Sequence, residues 1–396
     1  MPVAPAAPLT ARELNRATLA RQGLLEPLHA SPADAVRRLG SLQAQHPEWP
    51  PIALAARAAD AETADLGAAL AARAVVRSSL MRNTIHVVAA TDLWPMFAVC
   101  QPGRLARWRI LLKADPRAST LGRRMQAAHA TAIAALREAP RSSLELDRLI
   151  ASEVGPEATE ASRPSWREPD ERVTLRASWI HFSAFVPLVH VPHDGEGYGR
   201  SKYALAADWL GVEPPEIDPA AARAHVARRY LSAFGPASVD DLVAYVGRGP
   251  GGIGVWRQAI ADLGTDVVAF RGDDGRTLLD LADAPRPQAE TPAPPRLLAR
   301  WDSALLSHAA RHRQRIIAGE HRSAVFTRNA DVRPTFLIDG FVAGTWQLDR
   351  VAGSVAITLK PFDRPAPAVS EALCEEARRV LSLASPGGAG SVRLDA

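Results

Sequence analysis

Residues 75–88 read Val75-Val-Arg-Ser-Ser-Leu-Met-Arg-Asn-Thr-Ile-His-Val-Val88, and the change of period there decides the fold. Branched apolar residues on both sides of Asn83-Thr84 predict two strands joined by a tight turn. Upstream the period is helical. Thr10 and Glu13 form a capping pair for a helix through Arg21. Ser31-Pro32 supplies a cap and a first-turn proline for a helix predicted to run from Ala33 through Gln45, where His46-Pro47 ends it. A further helix is predicted around Ile52–Ala59, and Asp65 caps another over Leu66–Arg73. Helices followed by a hairpin make a winged-helix unit.

The pattern recurs. Around Leu144–Leu205, Ser178-Trp-Ile-His-Phe-Ser-Ala-Phe185 leads into apolar Val186–Val191, an Asp194-Gly195 turn and a return segment ending at Leu205, while 155–170 reads as a loop. Next, Asp218-Pro219 starts a helix over 220–233, Phe234-Gly-Pro236 turns, and Ser238 with Asp241 caps a second helix. A third, Val255–Leu263, precedes the hairpin 267–280. The glycine-rich loop Gly247–Gly254 has no preceding strand and no following Lys-Ser/Thr, so it is no phosphate-binding loop. After a proline-rich linker, Phe336–Ile338, Val342–Leu348 and Ser354–Leu359 read as strands and Val369–Leu383 as a closing helix. The expected architecture is α+β: tandem winged-helix motifs at 9–135, 140–217 and 218–283, a linker at 284–295, and a small, barrel-like β-rich domain at 296–396.

Of 47 basic residues only Lys113, Lys202 and Lys360 are lysine, and the formal net charge is +4. The charge is segregated. Residues 101–133 hold Arg104, Arg107, Arg109, Lys113, Arg117, Arg123 and Arg124 against Asp115, and residues 300–333 hold seven arginines against Asp302, Glu320 and Asp331. Such patches suit a polyanion; the alternative is solvated helix faces with acidic partners elsewhere. Cys100 and Cys374 stand far apart, outside any metal-binding spacing, and read as packing residues; neither a metal nor a cofactor is expected. The chain has no run of eighteen apolar residues and no basic start followed by an apolar core, so the expected location is the cytoplasm, at the nucleoid, with no membrane partner.

Five stretches together resemble the winged-helix DNA glycosylases that excise bulky or crosslinking alkyl adducts, a family that includes interstrand-crosslink repair and antibiotic self-resistance enzymes. They are Gln43-Ala-Gln45, Leu80-Met-Arg-Asn-Thr-Ile-His86, Tyr230-x-x-x-Phe234-Gly-Pro-Ala-Ser238, Trp301-Asp-Ser-Ala-Leu-Leu-Ser-His308 and Asp339-Gly-Phe-Val-Ala-Gly-Thr-Trp346. The resemblance spans nearly the whole chain. It implies tandem winged helices around a basic cleft, a monomer acting on double-stranded DNA that bears alkyl adducts, and catalytic roles at Gln43 and Gln45. Another branch of the family has aspartate at the second position.

Glutamine cannot act as a useful base, but its carbonyl can hold a water and its amide can bind sugar or phosphate oxygen. That suffices if the base is already cationic, because an N7-alkylated purine departs neutral. Two residues apart on a helix do not share a face, so the pair converges only if the helix ends or distorts at His46-Pro47. Around them, Arg82, Asn83 and Thr84 at the hairpin tip, His86, Arg104, Arg107 and Lys113 are candidate DNA contacts, with Arg82 reaching phosphate from the tip. Glu48 is a weaker candidate base, and no isolated lysine invites assignment as a Schiff-base nucleophile. A non-catalytic winged-helix regulator or architectural protein is the alternative.

Overall fold

In a computed structural model the described residues are 8–113, 118–154, 182–191, 202–247, 249–328, 331–351, 354–384 and 389–395. The loop expected at 155–170 and the Asp194-Gly195 turn lie outside them. Helix α1 (Ala11–Arg21) begins with the full Thr10–Glu13 capping box, and α2 (Pro32–Leu39) with Ser31 accepting from Asp34 N. Helix α2 stops six residues short of the predicted end. Gly40 takes φ +82°, and a Cβ there would lie 3.2 Å from Ala233 Cβ and Phe234 Cε2, so only glycine turns the chain at this contact. The chain leaves the turn extended, as strand β1 (Leu42–Gln43), before α3 (Trp49–Ala55).

The expected hairpin forms as β2 (Val75–Ser79) and β3 (Ile85–Ala89), with Leu80 N donating to Thr84 O across the turn. Two long helices follow, α4 (Leu93–Lys113) and α5 (Ala118–Glu138), then β4 (Arg141–Ser142), α6 (Ser143–Val154) and the hairpin β5 (Leu188–Val191) and β6 (Lys202–Leu205). Among the described residues these strands form one sheet in the order β1-β3-β2-β5-β6-β4. Its halves mirror one another, each running from a two-residue strand through a return strand to an outgoing strand. The halves join where Ser78 pairs with Val189.

Helices α7 (Pro219–Phe234), α8 (Val239–Val246) and α9 (Gly252–Ala261) precede the separate hairpin β7 (Val267–Arg271) and β8 (Thr277–Leu281). The C-terminal region is a second sheet: β9 (Arg296–Leu298), β10 (Thr335–Ile338), β11 (Phe341–Val351), β12 (Ser354–Pro361) and β13 (Ala389–Leu394), in the order β13-β12-β11-β10-β9. Helix α10 (Pro367–Ala384) connects β12 to β13, which pair in parallel. Sequence patterning anticipated neither β1, β9 nor β13.

Two apolar cores bind distant stretches of chain. In one, Leu39, Trp49 and Ile52 pack with Phe336, Trp346 and Leu373; in the other, Val76, Leu80 and Phe97 pack with Tyr230, Phe234 and Trp256. Each such large side chain stabilises the fold by about 1.5–3 kcal/mol through removal from water. Helix α1 spans between units. Arg21 donates to both oxygens of Asp280 at 2.7 and 2.8 Å, while Asn15 Nδ2 donates to Arg315 O and Gly340 O. Arg12, Arg16 and Arg21 also bind the carbonyls of Ala289, Thr291 and Pro285, laying segment 284–295 along the helix.

Candidate active site

Strand β1 ends at Gln43, and the chain bends at Gln45 instead of continuing as the expected helix. Ala44 is fully buried, Gln43 half-buried and Gln45 exposed, and no helical turn separates the two glutamines. The tripeptide is pinned on both sides. Gln43 pairs with His86, Ala44 N donates to Ile85 O at 2.7 Å, and Ala44 O accepts from Arg77 Nε and Nη2 at 3.1 and 3.0 Å.

Both carboxamides have defined orientations. Gln45 Oε1 accepts from Ile85 N at 3.2 Å, and Gln43 Oε1 accepts from Arg82 Nη2 at 3.2 Å. A backbone N–H and a guanidinium can only donate, so in each glutamine the atom they meet must be the oxygen. Each Nε2 thereby faces away from its anchor.

The guanidinium of Arg82 does not extend from the hairpin tip as expected. Arg82 and Asn83 take φ +53° and +58°, a left-handed turn that is costly for residues with a Cβ. It folds the Arg82 side chain inward, where Nη1 donates to Tyr245 O and the guanidinium lies 5.5 Å from the centre of the Tyr245 ring. Gly247 accommodates the turn, since a Cβ there would lie 3.3 Å from the Arg82 backbone. Tyr245 in turn shares a hydrogen bond with Ser41 at 2.9 Å, just before β1.

His86 is fully buried. Its Nδ1 meets Thr84 O at 3.1 Å and its Nε2 meets Arg82 Nη2 at 3.4 Å. A carbonyl can only accept and a guanidinium only donate, which fixes the neutral Nδ1–H tautomer. Burial, then the charge of Arg82, pushes its pKa down to about 3. It is a wall of the site and makes no contact with solvent. Asn83 is exposed at the turn, and Thr84 is half-buried with Oγ1 donating to Met81 O.

Arg104 is a correction. It is buried, donating to Ser79 O at 3.2 Å and Ser183 Oγ at 2.8 Å, and so braces the hairpin from below. The backbones of Arg107 and Lys113 belong to α4, but their side chains lie outside the described residues. Glu48 faces His46 at 3.9 Å and lines a small cleft with Trp346 and Ile357. Burial in the second core pushes the Cys100 thiol up to about 12, so it is unreactive at neutral pH.

Trp301, which opens one of the five stretches but received no role of its own from the sequence, lies beside His46, next to Gln45. At φ +54° it stacks on His46 with ring centres 5.1 Å apart, and Arg300 lies over its ring at 4.7 Å. The adjoining Asp302 is held by Arg57 at 2.7 and 3.0 Å, and Ser303 Oγ donates to Ser41 O. The Trp301-Asp-Ser stretch was visible as a motif, but its partners are about 250 residues away in sequence. A cavity of about 650 Å³ lined by Trp94, Ile133, Arg137 and Asp208 shares no residue with this site. Among the described residues no three His, Cys, Asp or Glu side chains group as a metal site, and no helix is long and apolar enough to cross a membrane.

A family description, "DNA glycosylase AlkZ-like", matches residues 36–383. The interstrand DNA cross-link repair glycosylase of Streptomyces sahachiroi is 24% identical over 335 residues, covering 83% of this chain and 85% of that protein. The solved structure of Streptomyces sahachiroi DNA glycosylase AlkZ superposes with a TM-score of 0.75 at 22% identity, covering 98% of this chain and all of the other.

Proposed function

The chain belongs to the AlkZ-like DNA glycosylase family, and from that premise we propose that it is a monofunctional, metal-independent glycosylase hydrolysing the N-glycosidic bond of bulky N7-alkylated purines in duplex DNA. Interstrand crosslinks through N7 are included, which places the protein in DNA repair or in resistance to an alkylating natural product. The observation that carries this is the pair Gln43 and Gln45, one at the end of β1 and the other in the bend that follows it, with both carboxamide oxygens anchored on the first hairpin, by Arg82 Nη2 and by Ile85 N.

In this reaction the C1′–N9 bond breaks with its electron pair passing to N9, which neutralises the purinium. Water adds to the cationic sugar at C1′ and its proton passes to solvent. Each glutamine oxygen keeps a second lone pair with which to hold that water, and each Nε2 offers donors to sugar or phosphate oxygen. Preorganised polar contacts of this kind are typically worth about 2.7–4 kcal/mol in a transition state. His86 has both nitrogens engaged and does not serve as the base.

The helix-plus-hairpin units act as winged helices on the duplex. Asn83 and Thr84 meet it at the turn, and Arg107 and Lys113 remain DNA contacts on the strength of the sequence alone. The test is release of free modified base, leaving an abasic site, from duplex carrying N7-alkylguanine in the presence of EDTA. Tight duplex binding with no release across a range of adduct sizes refutes the glycosylase and leaves a DNA-binding regulator.

A further inference from the structure

Two consecutive residues of the site differ in what holds them. The carboxamide of Gln45 is anchored on Ile85 N, whereas no hydrogen bond fixes the ring of His46 among the described residues: its Nδ1 lies 3.9 Å from Glu48 Oε1, too far for one. Trp301 holds that ring instead. The ring centres are 5.1 Å apart and the planes differ by 23°, so one face of the imidazole is covered while the side chain stays 55% exposed. The opposite face is therefore open, one residue beyond Gln45 and just ahead of Pro47, whose ring restricts the backbone.

Several contacts place Trp301 for this role. Its φ of +54° lies in the left-handed region, which is costly for a residue with a large side chain. Its N–H donates to Val332 O at 3.2 Å. The next two residues tie the turn to the segments on either side of the glutamines, Asp302 to Arg57 and Ser303 Oγ to the carbonyl of Ser41, which precedes β1. Arg300, held on both oxygens of Asp331 at 2.7 and 2.5 Å, brings its guanidinium over the Trp301 ring at 4.7 Å.

We propose that the open face of the His46 ring, backed by Trp301, is a stacking floor for a planar ring of the modified nucleotide: the alkylated purine or an aromatic group on its alkyl chain. Gln45 works at the sugar, and a flat ring joined to that sugar has a face with which to stack. The floor rests on the glycosylase reading for the identity of the nucleotide. Stacking is made with bound substrate as well as in the transition state, so it adds affinity without adding to the saturated rate.

The test follows single-turnover release at pH 8 against protein concentration for wild type, His46→Ala, His46→Gln and His46→Phe. The duplexes carry N7-methylguanine or N7-benzylguanine, and melting temperature is the control for folding. His46→Ala and His46→Gln should raise the half-saturating concentration by about 5- to 150-fold, the worth of one base stacked on an aromatic ring, with the saturated rate and the salt slope kept. His46→Phe, a flat ring without nitrogens, should stay near wild type. A loss that includes the N7-methylguanine duplex assigns the floor to the purine, and a loss confined to the N7-benzylguanine duplex assigns it to the substituent. Wild-type half-saturation in His46→Ala on both duplexes overturns the floor, as does a His46→Phe as weak as His46→Ala, which would make His46 a polar contact. If His46→Ala does not fold, His46→Gln takes its place. Should wild type release no base, the glycosylase reading falls, and affinity for the same duplexes against unmodified DNA becomes the readout. A preference for modified duplex that His46→Ala abolishes then retains the floor; a preference that it keeps, or none in wild type, overturns it.

Discussion

Lowering the pH from 8 to 6 should leave the single-turnover excision rate unchanged. Glutamine does not titrate, and His86, with its pKa held at about 3, is protonated in only about one molecule in a thousand at pH 6. A histidine base with an ordinary pKa near 6.5 would instead lose roughly fourfold in rate over the same interval. The assay is release of N7-alkylguanine at saturating protein and constant ionic strength. An inflection near pH 6.5 that disappears in His86→Asn would refute the assignment of His86 as a neutral wall.

Stability should respond to the same change. In the unfolded chain His86 and His308 titrate near 6.5, whereas folded they hold pKa values of about 3, pushed down by burial first. Below pH 6.5 the unfolded chain therefore binds more protons, so this stabilisation is complete above 6.5 and is lost as pH falls toward 3. Each histidine contributes about 1.4 kcal/mol per pH unit in that window. Together they remove about 4 kcal/mol by pH 5, a large part of the 5–15 kcal/mol typical of a domain. The urea midpoint should drop between pH 7 and 5 while excision holds until the fold is lost, and a flat midpoint would contradict buried neutral histidines.

Gln43→Ala and Gln45→Ala should each slow single-turnover excision by about 100- to 1000-fold with little change in duplex affinity, and normal excision in both would remove the proposed pair. Arg82→Ala should slow excision even at saturating protein, by about 10-fold or more, since it removes a hydrogen bond from a charged group worth roughly 1.5–3 kcal/mol. A defect confined to binding would reduce Arg82 to a phosphate contact. Asp302→Ala leaves Arg57 buried without its partner, both side chains being 1% exposed, and should destabilise the fold by about 3–5 kcal/mol. Denaturant titration checks this, and Arg57→Met/Asp302→Leu should recover most of the loss.

Local signals were legible in the sequence wherever neighbours decide the structure. The capping pairs Thr10–Glu13 and Ser238–Asp241 form as read, and the hairpin turns at residues 81–84. The glutamine pair could be named from the sequence, but its backbone was read as the end of a helix. The helical period runs on past Leu39, and what breaks it is a contact between Gly40 and α7, nearly two hundred residues away. Strand β1 exists only because β3 offers it an edge. Arg82 looked exposed for the same reason, since Tyr245, which draws it inward, belongs to a different unit of the chain.

The mirrored sheet has a consequence for how these molecules tolerate one another. Its outermost strands, β1 and β4, are two residues long, and His46-Pro47 follows the glutamines almost at once. A foreign strand aligning there finds a short ladder and then a proline that lacks an N–H, the kind of blunted border that discourages edge-to-edge polymerisation. The end of the sheet beside Gln43 is therefore a poor template for aggregation.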